Sequence, residues 1–141
     1  MKVTYDFPFG LTDLNRYIEA ERSSRMKAAE IKRDTEDMLI WSIKLQKAVR
    51  FKCPVYVIYT FTMKDRRIDK DNISFSKKFL NDALVKAKVL ENDGWKNIVN
   101  SWDEHILGSG RRVSVEIFDS AEEYSGEVLK RMDRYIKEEK S

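Results

Sequence analysis

The stretch Pro54-Val-Tyr-Val-Ile-Tyr-Thr-Phe-Thr-Met63 constrains the fold more than any other part of the chain. β-Branched and aromatic residues fill both alternating sets of positions, so both sides of the pleat call for burial. Such a strand is expected inside a sheet covered on two faces. It is also among the stiffest supports a chain can build, and it runs straight into a charged loop, Lys64-Asp-Arg-Arg-Ile-Asp-Lys-Asp-Asn72.

The flanking segments read as its partners. Lys2 to Pro8 alternates weakly and predicts a half-buried strand, closed by a turn at Pro8-Phe9-Gly10. Thr12 offers an N-cap, with Asp13 in the first turn, to a helix carrying Leu14, Tyr17 and Ile18. Ser23-Ser24 marks a kink, after which helix is expected to about Gln46 with Met38, Trp41 and Leu45 as its apolar stripe. Arg16, Arg22, Arg25, Lys27, Lys32 and Arg33 stud the outer face, as solvated charge or as phosphate contacts. Asp71-Asn72 can cap a helix over Ile73 to Ala87, with Phe75, Phe79, Leu80, Ala83, Leu84 and Ala87 on one half and Asp71, Lys78 and Asp82 on the other. A turn at Glu91-Asn92-Asp93-Gly94 follows. Ile98 to Ile106 and Arg111 to Phe118 predict a hairpin about Leu107-Gly108-Ser109-Gly110. Ser120 with Glu123 forms a capping box for an amphipathic helix over 120–139, with Tyr124, Val128, Met132, Tyr135 and Ile136 at helical spacing. The expected fold is α/β or α+β: one domain over 1–141, a small mixed sheet of about four strands with helices packed on it.

Composition narrows the setting. At 141 residues, with 42% hydrophobic and 36% charged residues, the chain suits one globular domain with a proper core. No apolar run approaches the roughly 18 residues that span a bilayer, so no membrane partner is expected. Met1 to Asp6 shows no apolar signal core. The single cysteine, Cys53, excludes an internal disulfide and fits a reducing compartment, so the expected location is the cytoplasm, with Cys53 as a small buried hydrophobe. The net charge is only +3, but its distribution is uneven. Between Lys64 and Lys88 eight Lys and Arg face four Asp, whereas from Asp119 onward seven acids face five bases. Positive potential therefore gathers around the carboxylates of the charged loop.

Asp69 and Asp71 stand two apart, which in an extended segment points both carboxylates to one side. Asp93 arrives on a separate turn. Drawn together, such carboxylates would repel by about 4 kcal/mol per pair at ~4 Å and an effective dielectric near 20. Basic neighbours or a cation must offset that repulsion. Oxygen ligands without histidine or cysteine point to Mg²⁺, with Mn²⁺ as a substitute, and the natural reaction is phosphodiester hydrolysis. A lysine beside the ion would balance transition-state charge; on an ideal wheel Lys78 faces with Asp71, and Lys77 is its rival. Asp-Lys-Asp-Asn is also an ordinary turn and N-cap, and Asn-Asp-Gly an ordinary turn. On spacing alone both readings stand. Trp95 and Trp102 can stack on unpaired bases or serve as core and edge aromatics; His105, the only histidine, reads as structural.

The order of these parts resembles the RusA family of Holliday junction resolvases, small metal-dependent endonucleases of phages, prophages and bacteria. The matching residues are Asp69-Lys70-Asp71-Asn72-Ile73, Lys77-Lys78-Phe79-Leu80-Asn81-Asp82-Ala83-Leu84 and Val89-Leu90-Glu91-Asn92-Asp93-Gly94-Trp95, within a catalytic block spanning 54–118. The resemblance implies Asp69, Asp71 and Asp93 as Mg²⁺-binding catalytic acids and Lys78 as the catalytic lysine. In the basic surround, Lys64, Arg66, Arg67, Lys70 and Lys77 are the expected DNA contacts, with Asn72, Asp82, Glu91 and Asn92 in supporting places. It also implies a homodimer that nicks two strands of a four-way DNA junction in recombination and repair. Two departures stand out. The lysine follows Asp71 by seven residues where many members have four, and Asn92 stands where many carry a second acid. A branched-DNA-binding protein without catalysis, and a nuclease of the same fold preferring flaps or forks, are the alternatives.

Overall fold

The strand singled out above is the inner strand on which the sheet is built. The computed structural model describes residues 1–11 and 14–140, so the N-cap expected at Thr12 and Asp13 lies outside the described residues. In chain order the elements are β1 (Lys2–Phe7), α1 (Leu14–Ser23), α2 (Arg25–Leu45), β2 (Val55–Met63), α3 (Lys70–Ser74), α4 (Lys77–Lys86), β3 (Ile98–Leu107), β4 (Arg112–Phe118) and α5 (Ala121–Lys140). The strands form one mixed sheet in the order β1-β4-β2-β3. This is the α+β architecture of four strands and packed helices that the sequence predicts.

Both faces of β2 are covered. Val55, Val57, Tyr59, Phe61 and Met63 point into the larger core, shared with Leu39 and Ile43 of α2 and with Phe79, Leu80, Ala83 and Leu84 of α4. Ile58 points the other way, into a smaller core with Phe118 and Tyr124, flanked by Tyr56, Trp102 and Val128. Trp102 is thus a packed aromatic. No helix among the described residues is long and apolar enough to cross a membrane.

Local signals set several boundaries. Ser24 separates α1 from α2 and accepts from the Met26 and Lys27 N–H groups at 3.2 and 3.4 Å, so the predicted kink is a capped restart. Ser120 accepts from the Glu123 N–H at 3.2 Å, as the capping pattern requires. Tyr17 of α1 packs on Phe75 and Phe79 with ring centroids 5.6 and 5.9 Å away, which ties the first helix to the α3–α4 segment.

Four expectations are corrected. β3 and β4 are not a hairpin: β2 lies between them, parallel to β3 and antiparallel to β4. The connection passes over the end of β2, where the Gly108 N–H donates to the Met63 carbonyl at 2.8 Å. A Cβ at Gly108 would come within 2.6 Å of Thr62 Cγ2, so the glycine permits a crossing, not a two-strand turn. The helix expected over Ile73 to Ala87 is two helices, broken at Phe75-Ser76, with the buried Ser76 hydroxyl donating to the Ile73 carbonyl at 2.9 Å. The apolar stripe of α2 faces outward, with Trp41 67% exposed beside exposed Met38 and Leu45. Leu39 and Ile43, one residue along, face the core instead; two apolar rows share this helix, and periodicity does not choose between them. Cys53 is exposed, in the loop that enters β2.

The face of the sheet under α5 carries charge. Glu104 of β3 and Glu116 of β4 are each only 7% exposed. Arg131 of α5 forks onto both Glu116 oxygens at 2.7 and 2.9 Å, reaches Glu104 at 3.2 Å and is braced by Glu127 at 3.0 Å. The Tyr135 hydroxyl donates to the other Glu104 oxygen at 2.9 Å.

Candidate functional site at the free edge of strand β3

Asp69 is the N-cap residue of α3, with φ −65° and ψ 149°, yet its carboxylate makes no capping hydrogen bond. Its backbone carbonyl starts the helix, accepting from Ile73 at 3.1 Å. Asp71, in the first turn, takes the N–H of Asn72 at 3.0 Å. Both aspartates are exposed, as are Lys64, Arg66, Arg67 and Lys70 around them. A capping role would occupy the Asp69 oxygens on the orphan N–H groups of the helix. Here they stay available at the end of the stiffest strand.

Asp69, Arg66 and Lys70 line a cavity of about 560 Å³ whose other walls include Ile68, Ile73, His105, Leu107 and, from α5, Arg134 and Tyr135. His105 fastens α3 to β3. Its Nε2 lies 2.9 Å from the Ser74 hydroxyl, its ring stacks on Phe61 at 5.2 Å and 17°, and it shares a backbone hydrogen bond with Lys70. Burial holds the imidazole below its ordinary value, against the upward pull of Asp103. A histidine that is harder to protonate folded than unfolded loses stability as pH falls through its unfolded value, near 6.5. Thermal unfolding across pH 7.5 to 5 should therefore show a decline that flattens in His105→Gln; an equally steep decline in the variant would assign the titration elsewhere.

A second cavity, of about 440 Å³, opens beside the start of β3 and is lined by Tyr59, Lys77, Asn81, Asp93, Gly94, Trp95 and Ile98 to Ser101. Lys77 reaches Asp103 of β3 at 2.9 and 3.1 Å and sits 5.4 Å from the centre of the Tyr59 ring. The Tyr59 hydroxyl donates to Asn81 Oδ1 at 2.5 Å. Burial, first of all, drives the phenol well above its ordinary range; Asn81 opposes this, while Asp103 and Asp93 add to it.

The two adjacent lysines face different ways. Lys77, expected among the surface DNA contacts, turns inward to Asp103; Lys78, expected as the catalytic lysine, is exposed. Phe75 and Ser76 between the two helices keep αR backbone, and Phe75, Phe79, Leu80, Ala83, Leu84 and Ala87 all face the larger core as one wheel predicts. Asp103, Tyr59 and Asn81 have no local signature in the sequence. Their meeting depends on the register that sets Tyr59 beside Asp103.

The three acids of the sequence pattern also divide. Asp69 lines the first cavity and Asp93 the second, and among the described residues no three His, Cys, Asp or Glu side chains converge as a metal ligand set. Topology explains the division. Asp69 follows the end of β2 and Asp93 precedes the start of β3, and in a parallel pair those strand ends lie at opposite limits of the sheet. Asp71 remains beside Asp69, a pair of hard oxygen donors of the kind Mg²⁺ accepts alongside water and substrate phosphate. Asn92 accepts from the Asp93 N–H at 2.8 Å and shapes that turn, with Glu91 exposed beside it. Asp82 is half-buried near Glu36 and Asp93; burial first, then the Glu36 charge, raises its carboxyl above the ordinary range. No protein-family model matches the chain, and no curated protein matches it.

Proposed function

We propose that this chain is a metal-dependent endonuclease for branched DNA, acting as a homodimer, in line with its resemblance to the RusA family of Holliday junction resolvases. The observation that carries the reading is the uncapped Asp69 carboxylate, with Asp71 two residues on, lining a cavity together with Arg66 and Lys70, while Lys64 and Arg67 are exposed in the same loop. A bound Mg²⁺ would supply an activated water and positive charge for the departing oxygen. Asp69 and Asp71 hold the ion's side of the site. Arg66 and Lys70 grip the backbone phosphate, and α3, pinned by His105, keeps the carboxylates in register with the sheet.

Asp93 enters this reading through a second chain. Among the described residues β3 pairs with β2 alone, so its other edge is free over ten residues. Two such edges paired antiparallel about a two-fold axis would set the start of one β3 against the end of the other. Asp93 of each protomer would then approach Asp69 and Asp71 of its partner, giving paired composite sites. Paired sites suit symmetric nicking of a four-way junction.

The test is cleavage of a synthetic four-way junction, a flap, a fork and a linear duplex, with and without Mg²⁺. The expected result is Mg²⁺-dependent nicking of the junction in preference to the duplex, reduced roughly 100-fold or more in Asp69→Asn and Asp71→Asn. The division of the acids within one chain favours the second reading, a branched-DNA binder without catalysis. Junction binding with no nicking in Mg²⁺ or in Mn²⁺ would establish that reading instead.

A further inference from the structure

We infer that the loop joining α2 to β2, together with the end of α4, is a second phosphate-binding surface, which grips duplex DNA away from the Asp69 cavity. The inference rests on the DNA-binding part of the preceding reading and uses neither the catalysis nor the dimer. Residues 38–63 contain no acid and four bases, Lys44, Lys47, Arg50 and Lys52. The Phe51 N–H donates to the Val89 carbonyl at 2.9 Å, which brings Lys88 beside this loop. All five bases are exposed, and none pairs with an acid among the described residues. Asp6, beside Gln46, and Glu91, past the buried Val89-Leu90, stand at the margins and leave the bases in excess, five to two.

Backbone and rigidity separate this surface from an ordinary solvated run of lysines. Lys47 and Lys88 are the non-glycine residues with left-handed backbone among the described residues, at φ 76° and 64°. Each follows the C-cap of its helix, Gln46 after α2 and Ala87 after α4, the place that glycine fills with least strain. The helix dipole does not account for the choice. Its pull on a cation is confined to the last turn, where Lys44 and Lys86 already stand. Two helices therefore end on a strained lysine at one surface, and such strain collects where the position of a side chain matters. The loop is also held firmly. The hydroxyl of buried Tyr5 donates to the Lys47 carbonyl at 3.1 Å and accepts from the Val49 N–H at 2.9 Å. The Gln46 carboxamide pairs with both backbone groups of Asp6 at 2.8 Å, and the Phe51 side chain is buried. Its ordering cost thus falls on folding and not on binding.

Duplex DNA is the partner that fits. Its phosphates form a dense, regular row that exposed ammonium and guanidinium groups contact without a pocket. A lipid surface calls for apolar side chains among the bases, and residues 47–52 expose no large apolar group. The surface lies at the start of β2 and the 64–70 loop at its end, nine strand residues on, so the two are separate contacts.

The experiment is fluorescence anisotropy of a labelled duplex and a labelled four-way junction, without metal, from about 50 to 200 mM NaCl. Wild type is compared with the double variant Lys47→Gly, Lys88→Gly, and with a control, Lys130→Gln, Lys137→Gln, that removes two exposed bases of α5. The expected result is wild-type binding to both DNAs, with a slope of log affinity against log salt that is shallower by about 2 in the double variant. Affinity at about 100 mM NaCl should fall roughly tenfold or more in that variant and hold in the control. The double variant should melt no lower than wild type, because glycine relieves both left-handed positions. A second pair, Lys47→Gln and Lys88→Gln, removes the charge without that relief and should show the same change of slope. An unchanged slope in both pairs, or an equal change in the control, would overturn the surface and leave the nuclease reading standing. Wild type that binds neither DNA at the lowest salt would overturn both. Binding of wild type to phosphatidylserine vesicles, lost in the double variant while its DNA affinity holds, would overturn the assignment to DNA.

Discussion

Arg131→Met should destabilise the protein by about 3–5 kcal/mol, the range for removing one partner of a buried ion pair. Glu104 and Glu116 lie beneath α5, and the Arg131 side chain, itself only 12% exposed, is the shared counter-charge of both. Without it two carboxylates face each other with little water. Lys2 at 3.6 Å from Glu116 and Arg134 at 3.9 Å from Glu104 offer weaker compensation from the rim. Urea unfolding at neutral pH reads the effect. Arg131→Lys should recover only part of it, because a single ammonium cannot fork onto Glu116 while reaching Glu104. The triple variant Arg131→Met, Glu104→Gln, Glu116→Gln should recover most, since the loss is that of stranded charges more than of the pair itself. A loss below about 1 kcal/mol for Arg131→Met would place the network in the class of exposed ion pairs.

Mixing two inactive variants should restore cleavage. Asp69→Asn and Asp93→Asn are each expected to lose junction nicking in the presence of Mg²⁺, while remaining folded, since both side chains are exposed and neither carboxylate caps a helix. If each site takes Asp69 from one chain and Asp93 from the other, a heterodimer of the two variants has one site lacking both acids and one site complete. Nicking of single strands should return, to about a quarter of the wild-type rate when half of the dimers are mixed and each has one complete site of two, with paired cleavage still absent. If each chain builds its own site, every site in the mixture lacks an acid and nothing returns. The experiment thus separates a composite site from a self-contained one by recovery, which misfolding cannot imitate.

Much of the architecture was legible from residue type and spacing. β2 announces itself because β-branched and aromatic residues on both pleat faces have no stable place except between two cores. Ser24 and Ser120 mark helix starts because a hydroxyl at the N-cap satisfies N–H groups that nothing else nearby can reach. Less legible were choices between equivalent local options. In α2 the row Met38, Trp41, Leu45 and the row Leu39, Ile43 are both apolar, and only the position of the sheet decides which is buried. The Lys77-Lys78 pair poses the same problem about a quarter turn apart, and only the position of Asp103 on β3 shows which of the two turns inward. β3 and β4 are legible as strands, but the second face of β4 is covered too, with Glu116 and Phe118 buried under α5, and a strand signal carries no information about which strand lies alongside.

The sequence by itself determined the inner strand, most of the helix boundaries, the basic surround of Asp69 and Asp71, and the mixed α+β class, because each follows from preferences expressed within a few residues. Tertiary structure alone decided that β2 separates β3 from β4, that Lys77 turns to Asp103, and that Asp69 and Asp93 line different cavities. Those outcomes depend on strand order and register. They are set by how the whole apolar surface is buried at once, a condition no short stretch of chain contains.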